Sequence, residues 1–172
     1  MTRPAAAVIH MPLGAFQFMQ LDPIDDQTGN LTQELFETFL FTQSESSAVS
    51  LSFARFFDRF LAIEADHSNL AETKDEAFIA VNSCADDAAA LFSKLEADLA
   101  PILGADRAAA VCTLVKKELR QGGTQPLEVG FVIIDEAGNG AISLRGDQYG
   151  QTEIRGRLDQ FARWKVLSER FF

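Results

Sequence analysis

The stretch from Asp135 to Gly140, DEAGNG, is where the sequence comes closest to chemistry. Asp135, Asn139 and Gly140 have the spacing of the first, fifth and sixth positions of a calcium loop. Calcium takes about six to eight oxygens. Here the third and twelfth positions are Ala137 and Gly146, whose side chains offer none. A phosphate loop is also excluded, because the Lys-Ser/Thr pair is missing and a strand-like run follows instead of a helix. Residues that tolerate positive φ predict a turn. LEVGFVII and AISLRG then become the arms of an antiparallel hairpin near 128–146.

A second calcium-like register comprises Asp26, Thr28, Asn30 and Glu37. Leu31 stands where that loop needs glycine, so the segment reads as a loop leading into a helix. Cys84 and Cys112 are the two cysteines. Periodicity puts them on consecutive helices, offset by about 12 residues or roughly 18 Å. A disulfide needs Cα atoms within about 7 Å. The expectation is two free, buried thiols, and no CxxC pair suggests zinc. His10 and His67 reach a cysteine only through the fold. A dispersed set such as His10, Cys112 and Asp135 is the weakest functional reading. Asp86 and Asp87 project about 100° apart on a helix and form no acid/base dyad. No catalytic residue, metal site or cofactor is predicted.

The elements that would position any site are plainer. Leu31, Leu35, Phe36, Phe39 and Leu40 share a helical face, and TQSESSAVS separates it from the next helix. That helix turns Phe53, Phe56, Phe57 and Phe60 inward. Phe78, Val81, Ala85, Ala88, Phe92, Leu95, Leu99 and Ile102 repeat at alternating spacings of 3 and 4, a heptad seam over 78–102. Thr73 and Glu76 fit a capping box at its start, and Pro101 with Gly104 fits its end. Such a seam serves a bundle within one chain or a homodimer between two. DRAAAVCTLVKKELRQGG is a further helix. TEIRGRLDQFARWKVLSERFF reads as a basic amphipathic helix carrying Arg155, Arg157, Arg163 and Trp164. The segment 15–21 alternates weakly and suggests an extra strand. The fold class predicted is α+β: a bundle of four to five helices with a small antiparallel sheet, as a single domain over 1–172.

Composition narrows the function. The net charge is −10 over 172 residues, with 15 Lys and Arg against 25 Asp and Glu. The imbalance lies in the first 106 residues, which hold 17 of the acids and 5 of the cations. Such a chain repels nucleic acid and anionic membranes. No run approaches the roughly 18 apolar residues of a membrane span, and no secretory leader is evident, so a cytoplasmic protein is expected. The reading favoured is a non-enzymatic interaction or regulatory protein: an inhibitor, chaperone or immunity-like module that meets a protein partner, possibly a basic one. Arg155, Arg157, Arg163 and Trp164 are its candidate contact residues. The alternative is a domain binding a small apolar ligand in a pocket lined by Phe53, Phe56, Phe57 and Phe60, drawn from the 15 phenylalanines.

Overall fold

A computed structural model describes residues 21–72, 77–119, 123–133, 139–146, 150–157 and 161–171. The chain is α+β. Among the described residues the helices are α1 (Gln33–Thr38), α2 (Gln43–Asp66), α3 (Ala85–Leu103), α4 (Ala105–Glu118) and α5 (Ala162–Phe171). The strands are β1 (Ser68–Glu72), β2 (Ala77–Val81), β3 (Leu127–Ile133), β4 (Asn139–Gly146) and β5 (Gly150–Arg157). They form one antiparallel sheet in the order β1-β2-β3-β4-β5.

Helix boundaries follow from local chemistry. Thr42 caps α2 and Glu45 returns the bond to the Thr42 N–H, a complete capping box inside the stretch that reads by composition as an interruption. Leu40, just before it, has φ +52°, an uncommon conformation for a branched residue. Arg107 holds this corner: its guanidinium donates to the Phe39 carbonyl and the Glu45 carboxylate and lies over the Phe41 ring. Pro101 sits inside the last turn of α3 without ending it. The helix stops at Gly104, whose φ of +82° turns the chain directly into α4.

Two hydrophobic clusters result. The first packs α1 to α4 around Leu35, Phe53, Phe60, Phe92, Leu99 and Val115. The second packs the inner face of the sheet, through Ile79, Val81, Val129, Ile142 and Leu144, against Trp164 and Leu167 of α5. Val166 touches both clusters. The register fixes the alternation: Val129 faces Leu144, while Glu128 and Arg145 pair on the opposite face.

Three expectations are corrected. The heptad seam begins too early, because Phe78 and Val81 lie on β2. Ile79 and Val81 alternate with Phe78 and Ala80 at the strand period, and the spacing from Val81 to Ala85 continues the seam by coincidence. The real seam runs from Ala88 through Phe92 and Leu95 to Leu99, all buried. Second, Arg155 and Arg157 lie on β5 and only the end of that segment is helical. Gly156 packs closely under the Phe161 ring: a Cβ there would come within 3.1 Å of it. Third, the sheet is more than a hairpin, and the helices divide between a four-helix layer and α5. The 128–146 hairpin is present, with Ile133 opposite Gly140. Residues 134–138, including Asp135, lie outside the described residues, as do His10 and all of the 15–21 segment except Leu21.

Candidate functional site

The most unusual chemistry among the described residues is the charged seam where α5 meets the helical layer. Glu64, near the end of α2, and Arg163, in the first turn of α5, are only 2% and 3% exposed. Arg163 donates to Glu64 Oε1 at 3.3 Å and stacks its guanidinium over Trp164, 4.6 Å from the ring centre. Burying opposite charges together is tolerated because each offsets the other's lost hydration. At the rim, Arg170 donates to Asp66 at 2.9 Å. The basic helix therefore packs on the acidic half of its own chain.

Two more carboxyls crowd this seam. Asp26 comes from the loop before α1, and Glu118 from the last turn of α4. Partial burial raises the pKa of Asp26, Arg163 lowers it, and Asp22 and Asp25 raise it further. Burial also raises Glu118, against the pull of Arg163, with Asp26 and Asp22 adding to the rise. The crevice between Asp26, Phe57, Glu118 and Arg163 is too narrow for a water molecule. It has the electrostatics of a working site without room for a substrate, and its groups bind layers together.

The other sequence-predicted residues fall as follows. Phe53, Phe56, Phe57 and Phe60 are brought together and pack on one another. Phe53 stacks on Phe57 at 5.6 Å, and Phe56 stacks on Phe60 at 6.0 Å. Phe92 from α3 closes on Phe56 at 4.9 Å and meets Phe60 edge-on at 5.8 Å. Arg155 and Arg157 are exposed on β5, whereas Arg163 and Trp164 are turned inward. The four candidate contact residues therefore do not share one surface. The calcium-like register is a tight turn: the Asp25 carboxylate accepts from the N–H groups of Gln27 and Thr28, and the bridge between Ile24 and Leu31 closes it. Among the described residues no group of His, Cys, Asp or Glu is arranged to hold a metal ion.

Cys84 and Cys112 are free and buried. Burial, with Glu96 nearby, pushes the Cys112 thiol up to about 12, so it stays protonated and unreactive at neutral pH. Cys84 precedes α3 instead of lying within it, and Asp86 and Asp87 occupy the favourable first turn of that helix. Asp87 also meets His67 Nε2 at 2.6 Å, tying the end of α2 to the start of α3.

Glu45 and Arg107 were not marked by the sequence reading, although the T-x-x-E spacing before α2 was available to signal the cap. The Thr42 backbone N–H, then the Arg107 guanidinium, holds the Glu45 carboxyl down at about 2. Its folded pKa lies below the ordinary 4.5, so its stabilisation is present above that value and is lost as pH falls toward 2. Glu45→Gln is expected to cost about 1 kcal/mol or less at neutral pH. Thermal melts of both proteins across that window should converge at the acid end, and a constant gap would contradict the assignment.

Beyond the seam, the described surface offers three features. The outer face of α3 exposes Asp86, Asp87, Glu96 and Asp98, with Lys94 bonded to Asp98. An open groove of about 380 Å³ crosses the ends of β2, β3 and β4 between Asn82, Pro126, Glu128 and Arg145. The sheet ends at β5. Among the described residues, no helix is long and apolar enough to cross a membrane. No family model, no curated protein and no solved structure matches the chain.

Proposed function

We propose that the protein is a non-enzymatic interaction module that meets a basic protein partner through the acidic side of its helical layer. The observation that carries this reading is the outer face of α3. Its inner face is wholly spent on the bundle through Ala88, Phe92, Leu95 and Leu99. Its outer face presents Asp86, Asp87, Glu96 and Asp98 to solvent, with Asp87 against His67 and Asp98 against Lys94, the one cation of the helix, so the acids outnumber the cations. Like charges held on a rigid helix repel one another, and a complementary surface relieves that repulsion. The groups that would suggest catalysis are otherwise engaged: the Cys112 thiol is protonated, and Arg163 is buried against Glu64. The packing of the Phe53, Phe56, Phe57 and Phe60 rings gives the apolar-ligand alternative less support than the charge pattern gives a partner.

The test is affinity capture from lysate at low and high salt, with D86N/D87N/E96Q/D98N as control. These are surface changes that leave the seam intact. The reading expects a basic protein retained at low salt by wild type, released by salt, and not retained by the variant. Equal retention by both proteins, or none by either, would overturn it.

A further inference from the structure

We infer that Leu40 anchors a partner helix that carries leucines on one face and lysines beside them. The contact lies at the corner between α1 and α2 and does not depend on the α3 reading. α1 ends in a Schellman motif: the Phe41 N–H donates to the Phe36 carbonyl at 2.9 Å, and the Leu40 N–H to the Glu37 carbonyl at 3.2 Å. Phe36 and Phe41 supply the apolar contact that accompanies this motif, their ring centres 5.5 Å apart. The residue before Phe41 must then be left-handed, which is why glycine usually stands there. This chain has leucine instead, with φ +52°. In that conformation a Cβ crowds a carbonyl oxygen, so the leucine strains the backbone where glycine would not. The fold does not offset the strain by enclosing the side chain, because Leu40 is 55% exposed. A local rule broken without a gain to the fold marks a residue used outside it.

The charges around Leu40 select the occupant. From residue 21 to residue 54 the chain holds six acids, Asp22, Asp25, Asp26, Glu34, Glu37 and Glu45, and no lysine or arginine. Glu34 and Glu37 are exposed on α1, in the two turns before Leu40. They are neighbours on the helix surface, roughly 5–6 Å apart at Cβ. Glu37 accepts a bond from Gln33, and neither acid forms an ion pair among the described residues. Arg107, the cation of this corner, is engaged by Glu45, the Phe39 carbonyl and the Phe41 ring. An exposed leucine beside two such carboxylates complements an amphipathic basic helix. Lysines three or four residues apart reach the two carboxylates, and leucines on the adjoining face close around Leu40. The same acids repel nucleic acid and anionic membranes, and a net charge of −10 opposes a second copy.

Fluorescence anisotropy tests the contact with a labelled peptide of leucine and lysine alone, placed at helical spacing and titrated with the full chain at low salt. Wild type is expected to bind it. Leu40→Gly should weaken binding about fivefold or more. The same variant should melt no lower than wild type, because glycine relieves the backbone strain. Leu40→Met keeps the apolar volume and should bind as wild type does. E34Q/E37Q should weaken binding and flatten its dependence on salt. D86N/D87N/E96Q/D98N should bind within about twofold of wild type, which separates this contact from the α3 reading. Wild type that does not bind at chain concentrations up to about 1 mM overturns the inference. Leu40→Gly binding as tightly as wild type also overturns it, and loss in the α3 variant would then move the peptide to α3. A fall of more than about 4 °C in the melting temperature of Leu40→Gly would show that the leucine serves the fold, and overturns it too.

Discussion

Arg163→Met should cost about 3–5 kcal/mol of stability at neutral pH, because it removes the guanidinium bonded to the buried Glu64 carboxylate. Folded domains hold only about 5–15 kcal/mol in total, so the variant would be close to unfolding. The loss reaches beyond one pair. Arg163 is also the cation that lowers the pKa of both Asp26 and Glu118, against the burial that raises them. Removing it takes away the buried guanidinium that Glu64, Asp26 and Glu118 share.

This gives the prediction a pH signature. Asp26 and Glu118 have folded pKa values above their ordinary ones, so their protonated forms favour the folded state. Their effect on stability improves as pH falls through the folded values. The penalty of Arg163→Met should therefore shrink as the solution is acidified from neutral. The double variant E64L/R163M exchanges the buried pair for apolar volume and should recover most of the loss. Denaturant titration of wild type, E64L, R163M and the double variant closes the cycle. A single variant as stable as wild type would mean that the pair contributes no linkage between the layers.

Phe60→Ala should cost about 3–5 kcal/mol, the range for deleting a large buried ring. Phe60 is fully enclosed, stacks on Phe56 and takes the edge of Phe92. It therefore links α2 to α3 at the centre of the larger cluster. Removing the ring leaves a cavity that neighbours of such stiffness only partly fill. Phe60→Leu, which keeps most of the volume, should cost clearly less. The midpoint of urea unfolding should fall with the slope unchanged, showing that the same surface is exposed. A ligand pocket predicts otherwise: alanine at 60 would alter an existing void and cost about 1 kcal/mol or less.

These two sites also show what was legible in advance. The phenylalanine face of α2 was readable because its spacing follows the helical period and packing needs nothing more specific. The 128–146 hairpin was readable because β-branched arms flank a turn-forming stretch. The free thiols of Cys84 and Cys112 were expected as well, although Cys84 lies at the cap of α3 instead of inside a helix. The β1–β2 hairpin was missed because Phe78, Val81 and Ala85 satisfy a heptad while Ile79 and Val81 satisfy a strand, and the longer pattern prevailed. Over 150–157, alternating Arg155 and Arg157 mimicked a basic helix. Gly156 carried the contrary signal, since glycine disfavours a helix interior by about 1 kcal/mol. The Glu64–Arg163 pair joins residues far apart in sequence. Its residues were visible, but not their pairing, because no local pattern encodes which buried acid meets which base.

The reading of this chain as an interaction module is tested most directly by native mass spectrometry of the purified protein. It predicts bare protein at 18.9 kDa that carries no small molecule. Extra mass that leaves on denaturation would contradict it and would assign the phenylalanine cluster to a ligand.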